Sequence, residues 1–192
     1  IGGNVEFKKT DQQVVVRTGL NQEVIDAEII TFTGGDISIF VGVNGSDPDE
    51  RFGFIAEGIA FGFSYVREIG GQARTFFGAQ ARADEIGFVG LPESDFELLN
   101  VTNVEIVFNW GFAADGSVVD FARTNELART DELRGQPIGS ADTFIIDIQG
   151  GRGRFLGAEM NIGIRVGGFF NVSGMFAFQL IIESEVELSH VS

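Results

Sequence analysis

The chain has 192 residues, 44 % of them hydrophobic, and 13 Lys+Arg stand against 28 Asp+Glu for a formal charge of −15. That acidic surplus argues against nucleic acid or anionic lipid as a partner, because phosphate neutralisation needs a basic surface. Cysteine is absent and His190 is the only histidine, so disulfides, thiolate chemistry, a His-containing triad and a multi-histidine metal site are excluded within one chain.

Phe occurs 20 times and Gly 27 times, against three Pro, and the abundant Val, Ile and Phe are strand formers. Eleven Arg accompany only Lys8 and Lys9, a balance that suits fixed pairing with carboxylates. No apolar run is long enough to cross a bilayer, so no membrane span is expected. The chain begins at Ile1 without a basic leader and is read as a mature or trimmed segment. A secreted or periplasmic location is expected, and a cytoplasmic one is compatible with the same composition.

Period-two alternation predicts strands along most of the chain. In residues 4–8, Val5 and Phe7 share one face while Glu6 and Lys8 share the other. Two β-rich runs, 23–33 and 36–43, flank Gly34-Gly35, which predicts a tight hairpin because primed turns need positive φ. Residues 44–50 form an acidic loop with Asp47, Asp49 and Glu50. Its spacing departs from an EF-hand loop, so a solvated turn is expected and no metal site. In 52–67, one parity carries Ile55, Glu57, Ile59, Phe61, Phe63 and Tyr65, and the other Ala56, Gly58, Ala60, Gly62 and Ser64. Faces of such unequal bulk suit a curved, closed sheet.

Gly70-Gly71 predicts the next turn, and 72–83 resumes alternation with Arg74, Phe76, Gln80 and Arg82 on one parity. A connection over 84–95 leads to a strand over 96–112, and Asp115-Gly116 predicts a turn into 118–121. Residues 125–142 form a charged loop with at most one helical turn; 143–149, 159–166 and 169–187 are the remaining strands. The sequons at Asn44, Asn100 and Asn171 matter only in a glycosylating host. Eight to ten strands and no long helix predict one all-β domain over 1–192. The expected architecture is a closed antiparallel β-barrel of about eight strands, with a β-sandwich or jelly roll as the alternative, since so many strands must hide their edges. Strands apolar on both faces, 52–66 and 169–182, imply an outer face covered by other subunits, hence a homo-oligomer.

Residues Ile148-Gln149-Gly150-Gly151-Arg152-Gly153-Arg154-Phe155-Leu156-Gly157-Ala158 form the most distinctive segment. They read as a strand end, a Gly-rich turn and a return into a strand. A phosphate cradle would need a helix to follow, and a strand follows instead. The segment resembles the GGTGRFxGAxG hairpin of the dirigent and allene oxide cyclase-like barrel proteins at Gly150, Gly151, Gly153, Arg154, Phe155, Gly157 and Ala158. Arg152 replaces the usual Thr, and Glu159-Met160 displaces the final Gly. The resemblance implies an eight-stranded antiparallel barrel, commonly trimeric. Its members isomerise or cyclise a reactive hydrophobic intermediate, or steer radical coupling without doing redox themselves. The family's acid residues have no counterpart here, so no catalytic residue is carried across.

Without His or Cys, catalysis would fall to carboxylates, Arg, Tyr and shape. Glu57 shares its parity with apolar residues, and a desolvated carboxyl there suits general acid work; an ion pair with a neighbouring Arg is the structural alternative. Tyr65, the only tyrosine, would donate a hydrogen bond to a ligand oxygen. Phe61 and Phe63 would line the ligand site, with Arg74, Asp147 and Arg165 meeting an anionic or carbonyl group; Asp147 and Arg165 are also a candidate cross-strand pair. Two functions follow. One is a barrel that binds a small hydrophobic molecule and steers its cyclisation, isomerisation or coupling, using Glu57 and Tyr65 and no cofactor. The other is a non-enzymatic secreted structural or filament subunit. A hollow or a filled interior separates them.

Overall fold

The computed structural model describes residues 2–47, 50–90, 97–166 and 170–182. Among these, eight strands form one antiparallel sheet: β1 (Gly2–Thr18), β2 (Asn21–Val43), β3 (Phe52–Glu68), β4 (Thr75–Val89), β5 (Glu97–Gly111), the two-residue β6 (Val118–Val119), β7 (Arg154–Val166) and β8 (Phe170–Ile182). Their spatial order is β6-β1-β2-β3-β4-β5-β7-β8. One helix, α1 (Phe121–Arg129), and a single 3-10 turn at Gly150–Arg152 interrupt the all-β pattern. Strands turn where positive φ is affordable, at Gly19 (59°), Asn44 (56°), Gly70 (76°) with Gly71 (52°), and Gly116 (74°).

The ladder does not close into a barrel among the described residues. There β8 pairs only with β7, and β1 pairs with β2 and, at Val16 and Arg17, with β6. At one end the sheet curls toward itself. Asn109 of β5 donates its side-chain amide to the Val119 carbonyl at 2.8 Å, so β6 is held from both sides.

Period two sorts side chains onto two faces, and the segment after β6 decides which face is buried. Val14, Val16, Ile25, Ala27, Ile29, Val66 and Phe76 point to one face and pack against Phe121, Ile138, Phe144, Ile146 and Ile148. We call this the covered face and the other the open face. The strands make room for their cover with small residues. A Cβ on Gly62 would meet Ile146 at 2.5 Å, and one on Gly78 would strike the Phe121 ring.

Three expectations are corrected here. Gly34-Gly35 is not a hairpin turn: β2 runs straight through it with a bulge before Ile37. The pair serves close approach, since a Cβ on Gly35 would sit 2.7 Å from the Thr143 carbonyl oxygen, while Thr33 Oγ1 and Thr143 Oγ1 hydrogen-bond at 2.6 Å. Residues 121–129 are helical rather than strand and loop. Asp120 caps the helix by accepting from the Arg123 amide at 3.0 Å, and Arg17 anchors the same carboxylate at 2.5 Å. Residues 143–149 alternate as expected yet do not join the sheet; they lie on it and direct Phe144, Ile146 and Ile148 inward. Asn125 fixes this cover by donating to the Ile146 carbonyl and accepting from the Ile138 amide, both at 2.7 Å.

Candidate functional site

The open face carries three cross-strand rows of large apolar side chains. One runs Phe7, Phe32, Phe63, Ala79, Phe108, Leu156, Leu180 across seven strands. The row beside it runs Val5, Gly34, Phe61, Ala81, Ile106, Ala158, Phe178, and a shorter one runs Ile30, Tyr65, Phe77, Trp110. Rings stand beside alanines and glycine, so neighbouring rings lean together. Phe63 meets Phe77 edge-on at 4.3 Å, Phe32 meets Phe61 at 5.4 Å, and Phe108 stacks on Trp110 at 5.9 Å. Phe7 is 69 % exposed and Phe178 58 %. The two long rows carry no charged side chain, and the short one ends at Lys9, opposite Ile30, and at Arg154, whose guanidinium lies 5.4 Å from the Trp110 centroid.

The expected site residues are dispersed. Phe61, Phe63 and Tyr65 sit on the open face, half-buried among these rings, and do not line an interior. Glu57 is exposed, with Glu85 rather than an Arg as its cross-strand neighbour; Ile37 and Ile39 pair with Ile59 and Ala56, so β3 bulges at Gly58 (φ 63°) and breaks the alternation expected to align Glu57 with Ile59, Phe61 and Phe63. Arg74 is buried at the rim of the covered face. Its Nε bonds Glu68 at 3.0 Å, Glu23 takes Nη1, and Asp115 lies at 3.7 Å. The Glu68 hydrogen bonds push Arg74 above its ordinary value, and the same bonds hold the Glu68 carboxyl below its own. Burial raises Asp115, but the Ser117 hydrogen bonds and the Arg74 and Arg154 charges outweigh it and leave the carboxyl lowered. This cluster ties β2, β3 and the turn before β4 together. Arg165 lies on β7 opposite Asn171 and Glu97, its side chain outside the described residues, as is Asp49 of the acidic loop. Asp147 precedes the 3-10 turn and belongs to no strand, so the two are not ladder partners.

Asp147 instead lines a cavity of 210 Å³ on the covered side, between β4, β5, β7 and the segment 147–152. Gln80, Arg82, Glu105, Gln149, Arg152 and Phe155 form the rest of its polar and aromatic wall. Arg82 Nε and Gln80 Nε2 both donate to Glu105 Oε1, at 3.0 and 2.8 Å. The Gly-rich motif builds one wall: Gly153, at φ 67°, turns the chain back into β7, and Arg152 lies over the Phe155 ring at 4.8 Å. Sequence reasoning placed Gln80 and Arg82 on one parity but missed Glu105 and Arg152 as their companions. The alternation of Glu105, Val107 and Asn109 carried the signal for Glu105. A larger depression of 380 Å³ over Thr102, Asn161, Gly163 and Ser173 has no charged side chain in its lining. Comparison with protein-family models, curated proteins and solved structures finds no match to this chain.

Proposed function

We propose that the protein is a non-enzymatic structural subunit that assembles with further copies of itself, through the open face and along the β8 edge. The observation that carries this is the uncharged aromatic band across seven strands. It measures about 30 Å by about 20 Å, on the order of 600 Å², against the roughly 800 Å² per partner of a stable interface. A second copy suits it better than an unlike partner because its texture complements itself, rings facing the hollows at Gly34, Ala79, Ala81 and Ala158. The chain's −15 charge lies outside the two long rows, where it keeps assemblies soluble.

The edges add direction. The β1 edge carries Glu6, Lys8, Lys9 and Asp11, which discourage strand addition, whereas residues 170–182 hold no charge and no proline. Strand addition at β8 would satisfy the hydrogen bonds that closure satisfies in a barrel. Two distinct self-contacts, one by face and one by edge, propagate rather than close.

The hydrophobic-ligand reading rests on the hairpin resemblance at 148–158. Against it stand Phe121, Phe144 and Ile146, which fill the side of the sheet that an oily lumen would need, and the solvent around Glu57. Light scattering on a size-exclusion column tests the proposal. Mass should rise beyond a dimer between about 1 and about 100 μM. Phe32→Glu with Phe178→Glu should leave a folded monomer by circular dichroism. A wild-type monomer throughout that range overturns the proposal, as does a folded double variant that still assembles.

A further inference from the structure

We propose that the 210 Å³ cavity behind the Gly-rich turn binds a small zwitterion, a molecule with one carboxylate and one ammonium group. The cavity holds opposite charges that do not neutralise each other. Arg152 rests on the Phe155 ring and takes part in none of the ion pairs among the described residues, and neither does Asp147. Arg82 commits its Nε to Glu105 and leaves its two terminal amino groups unbonded, its guanidinium 5.6 Å from the Phe144 centroid. Two guanidinium forks thus face a carboxylate-sized guest, and one carboxylate faces an ammonium.

The wall is built rather than loose. Gln80 is only 4 % exposed; its Nε2 donates to Glu105 at 2.8 Å and its Oε1 accepts from the Asp147 amide at 2.9 Å. That amide bridge fixes the Asp147 backbone to the sheet, and its exposed carboxylate, in no ion pair among the described residues, is left to meet an ammonium. Gly157 lacks the Cβ that would strike the Phe155 ring, so the ring extends under Arg152. A simple anion would meet repulsion from Asp147, and a simple amine would meet it from both arginines. Only a guest with both charges satisfies the two sides. The volume is below the roughly 300 Å³ at which drug-sized sites begin, which sets a guest of about ten heavy atoms.

Titration with 4-aminobutanoate and 6-aminohexanoate, against butanoate and butylamine, tests this through the nuclear magnetic resonance shifts of the Gln80 side-chain amide and the Asp147 backbone amide. At least one zwitterion should bind saturably below about 1 mM, with both single-charge probes about tenfold weaker or more. Arg152→Gln should weaken the zwitterion and butanoate alike. Asp147→Asn should weaken the zwitterion yet strengthen butanoate, a reversal that a purely structural role for Asp147 would not produce. The inference is overturned if neither zwitterion saturates at about 10 mM, if butanoate binds equally well, or if Asp147→Asn weakens butanoate too. Phe32→Glu, on the opposite face, should bind the zwitterion as the wild type does, so the outcome is independent of self-assembly.

Discussion

On the covered face β3 and β4 contribute Gly62, Ser64 and Gly78 beside Val66 and Phe76, and Phe121, Phe144 and Ile146 of a distant segment fill the space over these small residues. On the open face the strands contribute the rings themselves, and no segment of the described chain lies over them. At these positions the two strands therefore look inside out beside a simple sheet, with small residues buried and aromatic ones half in water. A sheet tolerates this arrangement only if the small face is filled from elsewhere and the large face has some other use. The filling is visible in the structure. Self-assembly is the use we assign to the other face.

The sharpest contrast concerns phenylalanine. Phe121 is fully buried against Gly78, so Phe121→Ala removes a ring from a packed interior and should cost about 3–5 kcal/mol. Phe63 lies half-buried on the open face, and Phe63→Ala in dilute monomer should cost about 1 kcal/mol, the scale of one cross-strand aromatic contact. Urea denaturation at low protein concentration measures both. Equal losses would mean that the open face is packed as tightly as the covered one, and the argument for an unfilled interface would go.

Charges at the two faces should part in the same way. Glu68 is buried with Arg74, whose hydrogen bonds lower its carboxyl from the usual value near 4.5. The unfolded chain takes up that proton first, so the stabilisation is full above the ordinary value and is lost as the pH falls through the folded one. Glu68→Gln should flatten the acid limb of the stability curve. It should also cost about 2 kcal/mol near neutrality, less than a fully broken buried pair because Arg74 keeps Glu23 and Asp115. Glu28 on the open face is lowered chiefly by its hydrogen bond from Lys9, with desolvation opposing and Arg67 assisting. Its contribution should vanish in high salt, while that of Glu68 persists.

Much of the sheet could be read in advance, because alternation and turn residues are local signals. The turns at Gly70-Gly71 and Asp115-Gly116, and the alternation of β3 over 59–66 and of β4 over 75–82, follow from nearest neighbours alone, whereas the bulge at Gly58 does not. The burial of one face over the other does not, since it depends on a segment more than fifty residues away from β3. Helix α1 was hidden for a related reason. Its inward positions are Phe121, Thr124, Asn125 and Ala128, spaced as a helix requires but half of them polar, so a hydrophobic period is barely audible. Thr124 and Asn125 are buried because they bond the Val15 amide and the backbone of the cover. Gly34-Gly35 misled because glycine signals close approach as readily as a turn. Asp147 was expected to face Arg165 across a strand pair, but its companions come from β4 and β5, which only the register brings together.

The smallest expected effect isolates the packing logic most cleanly. Gly78→Ala adds one methyl that would strike the Phe121 ring, while Gly174→Ala on β8 meets nothing within 4 Å. The first should destabilise by about 1–3 kcal/mol as overpacking, and the second should be neutral or stabilise by a few tenths through the unfolded chain. Gly78→Ala and Phe121→Leu should couple, because shortening the ring relieves the clash, so the double variant should lose less than the two single losses combined. Strict additivity would mean that the ring can slide aside at no cost. Gly78 would then be small for some reason other than the helix that covers it, and the inside-out arrangement of the sheet would lose its explanation.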